Sequence, residues 1–159
     1  MLFNIAQHAM QVVNSRMEFE KENSAGYLVN HMARLFAKEL QQRIAPHGIV
    51  VGQFPILLEL WQKDGVSQKS LLDKIDVEQA TLANTLNRME RDGLIRRTRN
   101  PTDARAQQIW LTNKATALRE YAYASAQRVN AEALSVLDAS EQAHFMEYMS
   151  RIISGMRAS

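Results

Sequence analysis

Side chains that can hydrogen-bond to the edges of nucleobases lie together on one predicted helix. In the segment 76–93, Ala80, Thr81 and Asn84 share a polar, small-residue face opposite an apolar stripe. The amide of an asparagine can bridge an adenine, and small side chains can contact the methyl group of a thymine. The spacing therefore predicts base contacts from this face. The alternative is a solvated helix face without a partner.

Side chains that suit phosphate groups flank this face. Hydroxyl and cationic groups at these positions can contact the backbone of a duplex. The first turn of a shorter helix, predicted just upstream, also offers free backbone N–H groups to anions. The predicted phosphate contacts are Ser67, Gln68, Lys69, Thr85 and Arg88.

Positive charge is concentrated at the end of this helix and beyond it. From Arg88 to Arg105 the chain has six arginines and three acids, a local net charge of +3, whereas the whole chain has +2. Neutralisation of phosphates requires such a concentration. We expect Arg105 to enter a narrow minor groove and Asp103 to orient its loop, with an unpartnered loop arginine as the alternative. Only diffuse electrostatic attraction is expected from Arg96, Arg97 and Arg99.

These side chains require a pair of helices to position them. Asp76 and Gln79 have the spacing of a capping box, so the second helix is predicted at 77–92. Ser67 is a suitable N-cap for the shorter helix, which is predicted to end near Ile75. Two short helices joined by a turn form a helix-turn-helix, whose second helix enters the major groove. The stripe that faces the core consists of Leu82, Leu86 and Met89.

A β-hairpin is predicted after the second helix. The turn signal at 100–103, which contains Pro101, separates two segments with strand-like patterns, 94–98 and 107–111. The tip of this hairpin is basic and exposed. We therefore predict a wing at 98–106 that reaches the minor groove.

Further helices are predicted on both sides of this module. The segments 27–44 and 53–61 keep helical spacing, and the second of them is expected to support the stripe of the reading helix. From Thr112 a helix of about 25 residues carries a near-heptad seam of small and apolar residues. The last helix is strongly apolar and is predicted to begin at a capping box of Asp138 and Glu141. The length of the first of these helices and the apolar character of the last favour dimerisation. Residues 1–23 are either a short helix on a partner chain or a frayed terminus.

An ordered series of short motifs resembles the winged helix-turn-helix of MarR-type transcriptional regulators, near the SlyA branch. The resemblance covers roughly residues 25 to 155. Two positions depart from the family pattern: the wing has Asp103-Ala104-Arg105 where Asp-Arg-Arg is frequent, and Val50 replaces a frequent capping threonine. The motifs are Gly65-Val66-Ser67-Gln68, Thr81-Leu82, the run from Arg88 to Arg97, Asp103-Ala104-Arg105-Ala106 and Leu111-Thr112-Asn113-Lys114-Ala115.

The resemblance implies a mainly α fold with a small β-hairpin wing. It implies a winged helix-turn-helix DNA-binding domain at 49–111, with N- and C-terminal dimerisation helices at 1–48 and 112–159. A homodimer would hold two reading helices about 34 Å apart on a pseudo-palindromic site in double-stranded DNA. Repression is the expected output. The family also implies a small aromatic or phenolic effector, in a cleft that Tyr27, His31, Arg34 and Trp61 could line, unless these residues are plain core.

Composition excludes several other classes of protein. The chain of 159 residues is 46% hydrophobic and has no cysteine, which excludes disulfides, thiolate metal sites and thiol-based peroxide sensing. The sequence has neither a long apolar run nor a leader, so we expect no membrane association and a cytoplasmic location. It has no nucleophile elbow, phosphate loop or metal-ligand spacing, so no catalytic residue, metal or cofactor is predicted. The alternative to a regulator is a winged-helix module that binds protein or shapes DNA without sequence specificity.

Overall fold

The computed structural model describes residues 20–99 and 107–158. The chain divides into two compact units, Met1–Leu35 and Phe36–Ser159. Within the first unit, a 3-10 turn at Lys21–Asn23 precedes the start of helix α1 (Ala25–Ile44), and α1 ends in the second unit.

The second unit contains a helix-turn-helix followed by a small sheet. Two 3-10 turns, Ala45–His47 and Val51–Gln53, follow α1. The remaining elements, in chain order, are α2 (Phe54–Gln62), β1 (Val66–Ser67), α3 (Gln68–Ile75), α4 (Gln79–Arg91), β2 (Ile95–Arg99), β3 (Gln107–Leu111), α5 (Asn113–Ala117), α6 (Arg119–Leu134) and α7 (Ala139–Arg157). The predicted fold class, mainly α with a small β wing, is confirmed.

The sheet has three antiparallel strands in the order β1-β3-β2. The two strands of the predicted hairpin pair with Ile95 opposite Leu111 and Arg99 opposite Gln107. Strand β1 was not predicted from the sequence. Its two residues pair with β3, with Val66 opposite Ile109, so the segment just before α3 is fixed to this strand.

One hydrophobic core joins the helix-turn-helix, the sheet and the helices around them. The stripe of α4 is fully buried, with Leu82, Leu86 and Met89 at most 1% exposed. Its nearest neighbours are the 51–53 turn, α3 and β2, while α2 contributes to the same core. The predicted support by α2 is therefore shared among four elements. The other large side chains that are fully buried are Ile44, Ile49, Leu57, Leu60, Leu71, Leu94, Ile95 and Ile109.

The helices after the sheet differ partly from the prediction. The single helix of about 25 residues is in fact two, α5 and α6, because the chain turns at Leu118. Three residues of the predicted seam, Ala122, Ser125 and Val129, are buried within the chain itself, whereas Val136 is 85% exposed. The seam is therefore used mainly for packing inside one chain.

Helix α7 begins as the sequence predicted. The Asp138 carboxylate accepts the backbone N–H of Glu141, and the Glu141 carboxylate accepts the N–H of Asp138, which completes the capping box. None of the α7 residues whose side chains the structure describes is buried. Within the described residues no single helix is long and apolar enough to cross a membrane, although Ala25–His47 and Val51–Gln62, bent by 94°, meet the length and composition criteria as a pair.

The close packing of Gly65 against Trp110 gives a stability prediction. Gly65 has a φ of +69°, and a Cβ atom there would lie 2.4 Å from the Trp110 ring. The ring is held in place because its N–H donates to the Thr98 hydroxyl at 2.9 Å. We expect Gly65→Ala to lower the free energy of unfolding by roughly 2 to 4 kcal/mol in urea denaturation, from the positive φ and the crowding together.

Gly93 provides a matched control for this prediction. Its φ is +71°, but a Cβ atom added there would meet nothing within 4 Å. Gly93→Ala should therefore show only the backbone part of the loss, about 1 to 2 kcal/mol. Equal losses in the two variants would contradict the proposed crowding against Trp110.

Candidate nucleic-acid interface

The helix-turn-helix begins at a side-chain cap that the sequence predicted. The Ser67 hydroxyl accepts the backbone N–H of Ser70 at 3.1 Å, and Ser67 itself has extended backbone angles. Helix α3 ends at Ile75, also as predicted. Ser67 thus has two structural roles, because it caps α3 and pairs with β3.

The predicted capping box of Asp76 and Gln79 is wrong. Helix α4 begins at Gln79 instead of residue 77, and its N-cap, Glu78, makes no side-chain capping bond. Asp76 instead ends α3, with a φ of 52° in the left-handed region. An aspartate tolerates this conformation better than most residues, so Asp76 makes the tight turn between the two helices.

The outer face of α4 has the arrangement that the sequence predicted. Ala80, Thr81 and Asn84 are exposed, on the side of the helix opposite the buried stripe. Arg88 continues this face by one turn and makes no ion pair with a described residue. Thr85 is half-buried, and its hydroxyl donates to the Thr81 carbonyl oxygen at 2.8 Å. A phosphate contact from Thr85 would therefore have to replace this intrahelical bond.

Arg97 joins strand β2 to α4, a contact that the sequence did not predict. From strand β2 its guanidinium donates to the Glu90 carboxylate at 3.0 Å and to the Asn87 side-chain oxygen at 2.8 Å. The Arg97 side chain is 19% exposed and the Glu90 side chain is 42% exposed, so the carboxylate side of this ion pair is open to water. No sequence signal indicated this role, because the three residues come from different elements.

Arg96 also makes a specific contact. Its guanidinium lies over the ring of Trp110, with its central carbon 5.5 Å from the ring centroid, which is within cation–π range. Arg99, at the end of β2, is exposed and makes no ion pair with a described residue. Arg96 and Arg97 thus have specific contacts within the chain, and the expected diffuse attraction to DNA stays a prediction for all three arginines.

A buried glutamine joins the end of α4 to the turn before α2. Gln53 is 3% exposed; its side-chain oxygen accepts the Val50 N–H at 2.9 Å, and its NH₂ donates to the Asp92 carboxylate at 3.1 Å. Lys114 donates to the backbone carbonyl of Asp92 at 2.9 Å. Gln53 thus provides a cap at the position where Val50 replaces a threonine.

The carboxylate of Asp92 responds to these neighbours. A hydrogen bond from Arg91 is the main cause that lowers its pKa, with smaller contributions from the Gln53 bond and from the charges of Arg91 and Lys114, while desolvation acts in the opposite direction. The structure therefore favours the charged form of this group.

This lowered pKa predicts how stability depends on pH. The unfolded chain takes up the Asp92 proton near pH 4, before the folded chain does, so this contribution to stability is present above about pH 4 and is lost as the pH falls through the lower folded pKa. We expect Asp92→Asn to unfold with a shallower acid dependence in urea titrations between pH 2 and 5. Asp73→Asn, an exposed control without a bond to a described residue, should keep the slope of the parent chain. Parallel curves for the parent and Asp92→Asn would contradict this role.

The last residue of α7 reaches the turn of the helix-turn-helix. The Arg157 Nε donates to Asp76 Oδ2 at 2.7 Å, a second guanidinium nitrogen bonds to the same oxygen, and the Lys74 carbonyl accepts at 3.4 Å. Both side chains of the pair are more than half exposed. The contact was not predicted, since 81 residues separate the partners.

Some predicted site residues stay untested. Asp103 and Arg105 lie outside the described residues, as does the tip of the wing. Among the residues named for an effector cleft, Trp61 is 8% exposed and its indole N–H donates to the Ala115 carbonyl at 3.0 Å. In the first unit, the rings of Tyr27 and His31 stack with centroids 6.1 Å apart. The described residues contain no group of acidic and histidine side chains that could hold a metal ion.

Comparisons with known proteins agree with this geometry. The MarR family model matches residues 50–106, which include the helix-turn-helix and the wing. The transcriptional regulator HosA of Escherichia coli O111:H- is 31% identical over 102 residues, which cover 64% of this chain and 76% of HosA. The HTH-type transcriptional regulator TtmR of Methylorubrum extorquens is 31% identical over 93 residues, covering 58% of this chain but only 48% of TtmR.

A solved structure supports the fold. A putative MarR family transcriptional regulator from Listeria monocytogenes, complexed with a 26mer DNA, superposes with a TM-score of 0.77 at 18% identity, over 84% of this chain and 89% of the other. These matches are with transcriptional regulators and not with enzymes. The chain belongs to the MarR family of winged helix-turn-helix transcriptional regulators.

Proposed function

We propose that this protein is a dimeric regulator that reads a pseudo-palindromic DNA operator. Helix α4 would lie in the major groove and the wing at 98–106 in the minor groove. One observation carries the proposal: the exposed face of Ala80, Thr81 and Asn84 lies on a helix that Arg97 joins to strand β2. A small-residue face lets the helix backbone approach the bases, and the Arg97 contacts keep α4 and the base of the hairpin together.

The proposed contacts fall into two groups. Asn84 would bridge an adenine, while Ala80 and Thr81 would meet thymine methyl groups. Arg105 would enter the minor groove, with Asp103 orienting its loop. Phosphate contacts, which position the protein without reading sequence, are proposed for Ser67, Gln68, Lys69, Thr85 and Arg88.

Dimerisation is proposed through helices outside the DNA-binding domain, at 1–48 and 112–159, with 49–111 as the reading domain. On α7 the side chains of Ile152, Ile153 and Met156 are 60%, 54% and 76% exposed. In the first unit, Leu28 is 49% exposed. Exposed apolar side chains at regular helical spacing favour an interface between two chains.

Four finer points complete the proposal. We infer repression as the output, a relationship to the SlyA branch, and a cytoplasmic location. We also infer release from DNA by a small aromatic or phenolic effector. The effector proposal rests on the family and on the aromatic and basic residues Tyr27, His31 and Arg34. Trp61 contributes less to it, since its indole N–H is already satisfied in the core.

The alternative is a winged-helix module that binds protein or shapes DNA without sequence specificity. Such a module needs phosphate contacts but no base-reading face. The polar, uncrowded outer face of α4 favours sequence-specific reading. Occupancy of the genome without a shared motif would support the alternative.

A salt titration with two variants tests the proposal. For a fluorescent operator fragment, log K should fall steeply with log salt. Asn84→Ala should reduce the preference between matched and mismatched bases by about 1 to 3 kcal/mol. Arg105→Ala should weaken binding broadly and reduce the salt slope by about 1.

The contrast between the variants provides the control. Asn84 lies on the face of α4 opposite the buried stripe, and Arg105 is distant from the stripe in sequence. Both variants should therefore keep the free energy of unfolding of the parent chain within about 0.5 kcal/mol. A flat salt dependence, or equal affinity of the parent for scrambled DNA, would contradict the proposal.

A further inference from the structure

The ion pair between Arg157 and Asp76 connects the end of α7 with the end of α3. Asp76 is the C-cap of α3, and Lys74, whose carbonyl also accepts from Arg157, lies in the last turn of that helix. The last carbonyl groups of a helix lack intrahelical partners and carry partial negative charge. The Arg157 guanidinium therefore completes the end of α3 from a distant part of the same unit.

The turn at Asp76 moves together with the reading helix. Helix α4 begins three residues after Asp76, and its stripe of Leu82, Leu86 and Met89 is fully buried in the core. Packed cores resist deformation, so the turn, α4 and the core behave as one body. Burial does less to fix the angle between this body and α7, because none of the α7 side chains that the structure describes is fully buried.

Arg157 differs in this respect from polar side chains earlier in α7. Gln142 donates to carbonyl groups at the end of α6 and in the turn after it, and Arg151 pairs with Glu147, four residues before it. Arg157 instead contacts a residue 81 positions earlier in the chain. The contact therefore joins α7 to the helix-turn-helix and not to its own neighbours.

We infer that Arg157 is a positioning residue for DNA reading. Its pair with Asp76 fixes the angle between α7 and the helix-turn-helix, and thereby the spacing of the two reading helices in the dimer. The inference rests on the proposed function, because it takes α7 as a dimerisation helix and α4 as the reading helix. Three apolar residues proposed for the dimer interface lie within about one and a half turns of Arg157, namely Ile152, Ile153 and Met156.

The pair is suited to fixing an angle and contributes little to holding the fold together. Both side chains are more than half exposed, and exposed ion pairs add little to the free energy of unfolding. A planar guanidinium group that bonds to a carboxylate and a carbonyl together restricts orientation more than a point charge does. Loss of the pair should therefore leave the fold intact and widen the range of angles between α7 and the helix-turn-helix.

Operator fragments with altered half-site spacing test this inference. The probe is the duplex that the parent chain enriches from random DNA, with one base pair inserted or deleted between its half-sites. One base pair moves a half-site by about 3.4 Å along the duplex and about 34° around it, so a rigid dimer should bind the altered fragments weakly. Arg157→Gln should lower the ratio of affinities for original and altered spacing by about threefold to tenfold, since each dimer has two such pairs.

Asp76→Asn separates the effect of position from that of charge. Asparagine also tolerates a left-handed backbone, so the turn should persist without the ion pair. By charge alone, Asp76→Asn should strengthen DNA binding and Arg157→Gln should weaken it. Both should nevertheless lower spacing selectivity, and the double variant should lose no more than either single variant. Arg157→Lys should fall between Arg157→Gln and the parent chain.

Arg151→Gln and Asp73→Asn are the matched controls. They make the same changes of charge on α7 and α3, at exposed positions outside the pair. Both should keep the spacing selectivity of the parent chain. Amide hydrogen exchange without DNA gives a second readout, in which residues 72–79 should exchange faster in Arg157→Gln than in the parent chain and in Arg151→Gln.

The outcomes separate this inference from the proposed function. Parental spacing selectivity in Arg157→Gln would overturn the inference, and so would parental hydrogen exchange at 72–79 or additive losses in the double variant. A parent chain that enriches no symmetric motif would contradict the proposed function and the inference with it.

Discussion

Replacing Leu86 with alanine is expected to lower the free energy of unfolding by about 3 to 5 kcal/mol. Leu86 is 0% exposed, at the centre of the stripe that fixes α4 to the core. Truncation removes apolar contacts and leaves a cavity that the surrounding elements fill only partly. Because small domains are stable by only about 5 to 15 kcal/mol, the loss should be visible as a large shift of the urea midpoint.

Asn84→Ala is the matched control on the same helix. Asn84 is exposed, so its truncation should change the free energy of unfolding by no more than about 0.5 kcal/mol while it reduces base preference. Leu86→Ala should show the reverse pattern under conditions where it stays folded. If Asn84→Ala proved as destabilising as Leu86→Ala, the assignment of the two faces would be wrong.

Replacing Ile152 and Met156 together with aspartates is expected to separate the proposed dimer. In the single chain the two side chains are 60% and 76% exposed. Their replacement should therefore leave the fold of the single chain intact and disturb only an interface that buries them. Two buried charges would face their symmetry mates without partners, which an interface does not tolerate. Light scattering should report a monomer whose helical circular dichroism is retained.

The same double variant should lose DNA affinity. Linking two binding elements raises the affinity roughly a hundredfold to ten-thousandfold over that of one. The affinity of the monomeric variant for a full operator should therefore be lower than that of the parent chain by a factor in this range. Arg151→Ala is the control, since Arg151 pairs with Glu147 on α7 at 3.6 Å and is exposed. It should stay dimeric and bind like the parent. A dimer that persists in the aspartate variant would exclude this face from the interface.

Local patterns in the sequence predicted most of the elements. The Leu82, Leu86 and Met89 spacing predicted which side of α4 is buried, and a hydroxyl before an apolar run predicted the Ser67 cap. The capping box of Asp138 and Glu141 could also be predicted, because its two partners are only three residues apart in the chain. These features depend on neighbours along the chain, which a sequence displays directly.

Errors occurred where tertiary contacts compete with local preference. Asp76 has the residue type and spacing of an N-cap, but the chain uses its tolerance of a left-handed backbone to end α3 instead. Strand β1 is two residues long and forms only because β3 is beside it. Periodicity alone could not locate the turn at Leu118, because apolar spacing continues across it.

In the candidate site, too, the features set by local sequence could be predicted and those set by tertiary contacts could not. The exposed face of α4 follows from helical geometry, so Ala80, Thr81 and Asn84 could be located from spacing. The Arg97 contacts with Asn87 and Glu90 could not, because they depend on how β2 lies against α4. Net charge indicated a basic region but did not separate Arg97, which contacts α4, from Arg88 and Arg99, which make no ion pair with a described residue.

Selection of bound sequences from random DNA tests the central proposal most directly. The parent chain should enrich two half-sites related by two-fold symmetry, with centres about 10 base pairs apart or a multiple of that spacing. Asn84→Ala should relax one position within each half-site. Enrichment of no motif, or of a single asymmetric half-site, would contradict a dimer that reads DNA with the outer face of α4.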